Sequence, residues 1–328
     1  VDFRISVAES DITFPCADGE TVLDAAERAG YAVPYSCRKG VCASCEGRLV
    51  AGEGRSPVQG AVAAPVERAL LCCLRPDTDL TIAPRRIEKR DPIARKTLEA
   101  AVYRITQPAS DVSVLQLRLP TGVRAKFGAG QYLQVELEDG TRRNYSMANA
   151  PHENDSVQLH VRHVPGGRFS EAVLGSLAKG DRLRVELPFG EFMLREGSDK
   201  PAVLLATGTG FAPVKSIVED AIKRKLERPL HLYWGARRAE DLYLAALAQK
   251  WHDSGRVKFV PVLSEADEAW TGRRGFVHEA VLEDFGSLAG HEVYACGNPS
   301  MTSAARETFV KAGLPEDDFF SDAFVHTG

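Results

Sequence analysis

The segment YSCRKGVCASCEG, residues 35–47, crowds Cys37, Cys42 and Cys45 into nine positions of a chain whose 328 residues include only seven cysteines. An odd count, with Cys72 and Cys73 side by side further along, does not suit a disulfide framework. Thiols at such short spacing point instead to metal chemistry in a reducing compartment, and hence to a cytoplasmic protein. The small residues Gly40, Ala43 and Ser44 let the loop wrap tightly, so that backbone N–H groups can face whatever the sulfurs hold.

The rest of the composition narrows the alternatives. With 44% hydrophobic and 26% charged residues the chain reads as globular, long enough for two or three domains. A net charge of -4 gives no electrostatic reason to expect nucleic acid or an anionic membrane as partner. No uncharged apolar run approaches the roughly 18 residues of a membrane helix. The opening VDFRISVAES also lacks the basic-then-apolar pattern of a secretory signal. A monomer is the simplest expectation.

Punctuation along the chain predicts three units. In residues 1–84, alternating Phe3, Ile5 and Val7 predict a strand, and TVLDAAERAG predicts a helix with a Thr21/Asp24 capping box and a stop at Gly30. Residues 85–96, within the basic, proline-containing APRRIEKRDPIARK, have the composition of a linker. Residues 97–198 hold short segments such as QYLQVELEDG and VQLHVRHV, which alternate apolar with polar and end at Gly or Pro; an antiparallel barrel is expected. From 199 to 328 the rhythm becomes strand then helix, with AVLLAT followed by PVKSIVEDAIKRKL. That is an α/β nucleotide-binding layout with a mostly parallel sheet.

Cys37, Cys42 and Cys45 follow C-x4-C-x2-C, the spacing of plant-type 2Fe-2S ferredoxins. Cys72 and Cys73 both stand where a fourth ligand is needed. LLCCLRPDTDLTI resembles those ferredoxins in having the last cysteine four residues before Pro76 and seven before Asp79, which implies Cys72 as ligand and Cys73 pointing away. Structural zinc also takes four thiolates, but it favours two C-x2-C knuckles and only one is present. A Rieske centre needs histidine pairs beside the cysteines, and none occurs; His160 and His163 lie three apart on a predicted strand and face opposite sides. Cys16, with no partner in sequence, reads as a small buried apolar residue. Arg38 and Lys39 would flank an exposed cluster edge, either steering an acidic partner or merely solvated.

Three later motifs concern nucleotides. RRNYSMANAP carries R-x-Y-S, which resembles the flavin motif of the ferredoxin-NADP reductase family. The resemblance implies Arg143 at the FAD pyrophosphate, Tyr145 on the isoalloxazine and Ser146 beside flavin N5. In VPGGRFSEAV, Gly166 and Gly167 permit close backbone approach, and Ser170 stands where a helix would begin, so that free N–H groups would face a diphosphate. In ATGTGFAPV, Gly208, Thr209 and Gly210 follow a buried strand, and Pro213 suits the first turn of a helix. This is not the G-x-G-x-x-G fingerprint, but GTGFAP resembles the same family's NAD(P) site, with Thr207 where a third glycine is common. VYACGNPSM resembles its C-G-x-P-x-M segment, which implies Cys296 at the nicotinamide and Gly297 and Pro299 shaping the pocket. Phe324, in the closing FFSDAFVHTG, resembles the aromatic residue that the family places near the flavin.

From end to end the chain resembles the one-piece reductases of bacterial aromatic-ring oxygenases: a β-grasp 2Fe-2S ferredoxin domain, an antiparallel FAD-binding β-barrel and a parallel α/β NAD(P)-binding domain. The implied function is electron transfer from NAD(P)H through FAD and the 2Fe-2S cluster to the Rieske-type terminal oxygenase, a transient partner, of a terephthalate-type dioxygenase. The alternative is a reductase for CDP-6-deoxysugar synthesis or for a di-iron or haem monooxygenase. Hydride transfer is implied near Ser146 and Cys296, because a nicotinamide gives two electrons together and the iron partners accept one at a time. A non-catalytic relay would not need GTGFAP and CGNP. Choice between NADH and NADPH rests on Arg237 and Arg238, which can reach a 2′-phosphate or cover the adenine.

Overall fold

The structure, a computed structural model, describes residues 2–90 and 94–324. Asp91, Pro92 and Ile93 of the expected linker, and residues 325–328 of the closing segment, lie outside the described residues. The chain divides into two compact units, Val1–Ala94 and Arg95–Gly328.

The first unit is built on a five-stranded sheet. Phe3–Val7 pairs antiparallel with Thr13–Cys16 and parallel with Leu80–Pro84. Its alternation buries Ile5 and Val7 against the helix Val22–Arg28, giving the β-grasp arrangement. The Thr21 hydroxyl oxygen accepts from Asp24 N–H, and Gly30 leaves the helix at φ +81°, where a side chain would be strained. The basic stretch after this unit's last long strand is not all linker: Glu88–Lys89 pairs with Tyr31–Ala32, and Ile87 packs on the core.

Arg95–Gly328 holds a barrel and an α/β layer. Six antiparallel strands form the barrel sheet, and the bridge Met147↔Leu159 brings its two edges together. In Ser156–Arg162 the period of two buries Val157, Leu159 and Val161 on the barrel side. The α/β sheet is parallel throughout, with Ala202–Thr207 at its centre between Leu230–Ala236 and Glu292–Gly297. Chain order reverses between Ala202–Thr207 and Glu292–Gly297. In open parallel sheets the ligand crevice lies at such a switch point, beyond the strands' carboxyl ends. GTGFAP and CGNP follow those two ends.

Among the described residues no helix is long and apolar enough to cross a membrane.

Candidate functional site

The cysteine loop has almost no regular structure to lean on. It turns through left-handed conformations at Arg38 (φ +54°), Gly40 (φ +71°) and Ala43 (φ +58°), of which the two non-glycines each cost on the order of 1 kcal/mol. Arg38 offsets part of that cost. Its guanidinium lies over the Tyr35 ring and forms ion pairs with Asp24 and Glu27 of the helix Val22–Arg28. Arg38 is therefore neither a free steering charge nor a solvated one; it anchors the loop to the helix.

The strained turns aim backbone donors at sulfur. Lys39 N–H and Cys42 N–H donate to Cys37 Sγ at 3.3 and 3.4 Å, and Cys37 N–H reaches Cys42 Sγ at 3.5 Å. The hydrogen bond from Cys42, opposed by burial but joined by the N–H groups, pulls the Cys37 thiol down to about 5. Such a nest favours thiolate. Crowding acts the other way on its neighbours: Cys42 and Cys72 are pushed up, first by hydrogen bonds to Cys37 and Cys45 respectively. Cys37 thus neighbours Cys42, and Cys72 neighbours both Cys45 and Cys73. Among the described residues no three His, Cys, Asp or Glu groups converge as ligands of a single ion would. Two thiolates to each of two irons suits this arrangement, and positive charge between the sulfurs would relieve the crowding. Cys73 does not simply point away: its sulfur lies 3.5 Å from that of Cys72. Cys16 is fully buried, and burial with Glu20 pushes its thiol up to about 12.

On the barrel, Arg143 and Tyr145 are two apart on the strand Arg142–Ser146 and share a face. Tyr145 packs on Phe169 with ring centroids 5.0 Å apart, and Ser146 is buried opposite Tyr132. The expected helix start at Ser170 is displaced. Gly166 turns at φ +72°, Gly167 takes the capping position, and the helical turn Arg168–Val173 already contains Ser170. The Ser170 hydroxyl folds back, accepting from Val164 N–H at 3.1 Å. Gly166 N–H donates to the Glu171 carboxylate at 2.8 Å, so an anionic oxygen already sits on the donor proposed for a diphosphate.

In the α/β layer, Gly208–Gly210 forms a tight turn and the helix Phe211–Lys223 follows with Pro213 in its first turn. A Cβ on Gly210 would lie 2.3 Å from Cys296 O, and one on Gly297 would lie 2.3 Å from Thr207 Oγ1. The two nucleotide motifs are therefore in direct backbone contact. Thr207 explains its own departure from glycine, because its hydroxyl accepts from Asn298 N–H at 3.0 Å and joins the motifs. Asn298 in turn caps the helix Pro299–Lys311. Cys296 is fully buried, its thiol pushed up by burial and by Asp322. Phe324 N–H donates to Gly297 O, which holds Phe324 beside the CGNP turn.

Family models match along nearly the whole chain: a 2Fe-2S iron-sulfur cluster binding domain over residues 5–77, an oxidoreductase FAD-binding domain over 99–194 and an oxidoreductase NAD-binding domain over 204–307. Reductase component 1 of terephthalate 1,2-dioxygenase from Comamonas sp is 44% identical over 333 residues, covering 99% of this chain and 98% of that protein. The chain belongs to the one-piece iron–sulfur flavin reductases. This reductase is also 38% identical to the CDP-6-deoxy-L-threo-D-glycero-4-hexulose-3-dehydrase reductase of Yersinia pseudotuberculosis, over 99% of both chains. Among solved structures it matches the Amycolatopsis cytochrome P450 reductase GcoB with a TM-score of 0.78 and 31% identity, covering 98% of each chain. It is an NAD(P)H-dependent oxidoreductase whose cofactors are FAD and a 2Fe-2S cluster.

Several residues of the reductase's nucleotide half carry no motif. Lys215 and Ser216, on the helix after the GTG turn, donate to Ala148 O at 3.1 Å and Asn149 O at 2.8 Å, just beyond the flavin motif. Tyr243 meets His160 of the barrel at 2.8 Å. Arg162, paired with Asp111 at 2.9 Å, brings its guanidinium to Gly208, where positive charge suits a phosphate. Phe211 stacks on Trp234 with centroids 3.8 Å apart. In the sequence, Lys215 and Ser216 lie in PVKSIVEDAIKRKL and His160 on a predicted strand, but no pattern there joins them to these partners.

Proposed function

We propose that this reductase supplies electrons to the Rieske-type terminal oxygenase of an aromatic-ring dioxygenase of the terephthalate type, as a cytoplasmic monomer that meets its partner transiently. The end-to-end 44% identity to a terephthalate 1,2-dioxygenase reductase component carries this reading. The working domains are residues 1–84, 97–198 and 199–328, with 85–96 between them and its Ile87–Lys89 part folded back on the first domain. Bound FAD would supply the means of splitting the nicotinamide's electron pair into single electrons, as an iron–sulfur centre requires.

Each side chain has a matching task. Cys37, Cys42, Cys45 and Cys72 hold the cluster, and the N–H groups around Cys37 keep sulfur in its thiolate form. Arg143 receives the FAD diphosphate beside the turn of Gly166, Gly167 and Ser170; the two glycine N–H groups stay on Glu171 and Val164 O, so the glycines shape the turn and the guanidinium supplies the charge. Tyr145, stiffened by Phe169, covers the isoalloxazine, while Ser146 offers a hydroxyl at N5. Gly208, Thr209, Gly210 and Pro213 seat the nucleotide phosphates. Cys296 and Gly297 form the floor under the nicotinamide, and Phe324 closes the flavin side.

Mixed with the oxygenase component of a terephthalate 1,2-dioxygenase, the full-length protein should consume NADH in proportion to dihydrodiol formed. Rapid NADH-driven ferricyanide reduction without product would remove the aromatic partner and leave the reductase. The similarity to the Yersinia protein then favours a deoxysugar dehydrase as the electron acceptor.

A further inference from the structure

Cys73 takes no part in the ligand set, yet it is buried against it. Its backbone N–H donates to Leu70 O at 2.9 Å, which holds the Cys72–Cys73 turn rigid. Its Sγ lies 3.5 Å from Cys72 Sγ. The same sulfur also packs against the cysteine loop, 3.3 Å from where a Cβ on Gly40 would sit. The Val58 and Leu70 side chains lie 3.0 and 3.1 Å from the same point, and neither side chain can donate a hydrogen bond.

We propose that Cys73 is a positioning residue for the cluster: its thiol donates an S–H···S hydrogen bond to Cys72 and so raises the reduction potential of the 2Fe-2S centre. The inference rests on Cys72 being the fourth ligand. A ligating Cys72 has given up its proton, so the contact between the two sulfurs leaves Cys73 as the only possible donor. No bond breaks and the proton stays on Cys73. A donor aimed at a ligand sulfur stabilises the reduced cluster, which carries one more negative charge, over the oxidised one. The same thiol fixes the Cys72 sulfur by a directed contact, where an apolar side chain would give contact without direction.

The test uses the full-length holoprotein with Cys73→Ala, Cys73→Ser and Cys72→Ser, flavin absorption reporting that each remains folded. Potentials come from an EPR-monitored titration, and exchangeable protons from ENDOR in H2O and D2O. The alanine variant should lose one exchangeable coupling. Poised at the wild-type midpoint, its oxidised-to-reduced ratio should rise severalfold, a full tenfold being about 59 mV for one electron. Serine, which keeps a donor, should restore both. An unchanged midpoint and coupling in Cys73→Ala would overturn the proposal, as would a serine variant displaced as far as alanine. Should alanine fail to hold a cluster, the serine variant decides alone: a retained coupling with a midpoint at or above wild type supports the donor, and a lost coupling overturns it. A cluster lost in Cys73→Ser but kept in Cys72→Ser would instead reverse the ligand assignment.

Discussion

The cysteine loop and the nucleotide crevice solve the same problem, presenting backbone to a charged group, in opposite ways. The loop is local: nine residues carry three of its four sulfurs, and left-handed turns at Arg38, Gly40 and Ala43 point N–H groups inward. The crevice is assembled across the chain. Gly210 meets Cys296, and Thr207 meets Asn298 from 91 residues away, through the register of a parallel sheet. A local site can be lost by one ligand without disturbing its scaffold; an assembled one fails when two backbones can no longer approach.

The largest effect should come from the local site. Cys72→Ser is expected to abolish the cluster's absorption and EPR signal while NADH-driven ferricyanide reduction persists, since the crevice lies in the other compact unit. Loss of ferricyanide reduction together with the cluster signal, in a protein with normal flavin content, would break the contrast. Next in size, Gly210→Ala places a methyl group 2.3 Å from Cys296 O. Overpacking against backbone should cost about 1–3 kcal/mol and raise the KM for NADH, with cluster spectra unchanged.

How much of this was legible follows the same division. Cysteine spacing, the glycine pairs and the strand alternation are short-range patterns, and the barrel, the parallel sheet and the three cofactor domains are those the sequence predicts. Contacts made by the folded chain were not legible. Arg38 reads as a surface charge because its partners, Asp24 and Glu27, come within reach only when the helix packs beside the loop. Ser170 reads as a helix start because Gly166 alone does not reveal that the chain turns early enough for Gly167 to cap. Glu88–Lys89 reads as linker because two residues of pairing leave no periodicity.

Acid should expose the assembled half. Burial, with the positive charge of Lys215, lowers His160 from the ordinary 6.5 to about 3, so the folded form keeps it neutral against Tyr243. The unfolded chain takes up a proton below 6.5 and the native one does not. Stability from this group is therefore complete above 6.5 and lost as pH falls toward 3, at up to about 1.4 kcal/mol per pH unit. His160→Gln should flatten the fall in melting temperature over that window; an equally steep fall would place the acid sensitivity elsewhere.

The finest test concerns Thr207. Its methyl group packs beside Gly235, where a Cβ would lie 3.3 Å from Cγ2, while its hydroxyl accepts from Asn298 N–H. Thr207→Val keeps the shape and removes only the acceptor; Thr207→Ser keeps the acceptor and removes only the methyl. If the motifs are joined by that hydrogen bond, valine should cost about 1 kcal/mol and raise the KM for NADH about fivefold, while serine stays close to wild type. If serine is the more damaging, packing against Gly235 holds the crevice together. The assembled site would then depend on close packing of the sheet, and the hydrogen bond would be incidental to it.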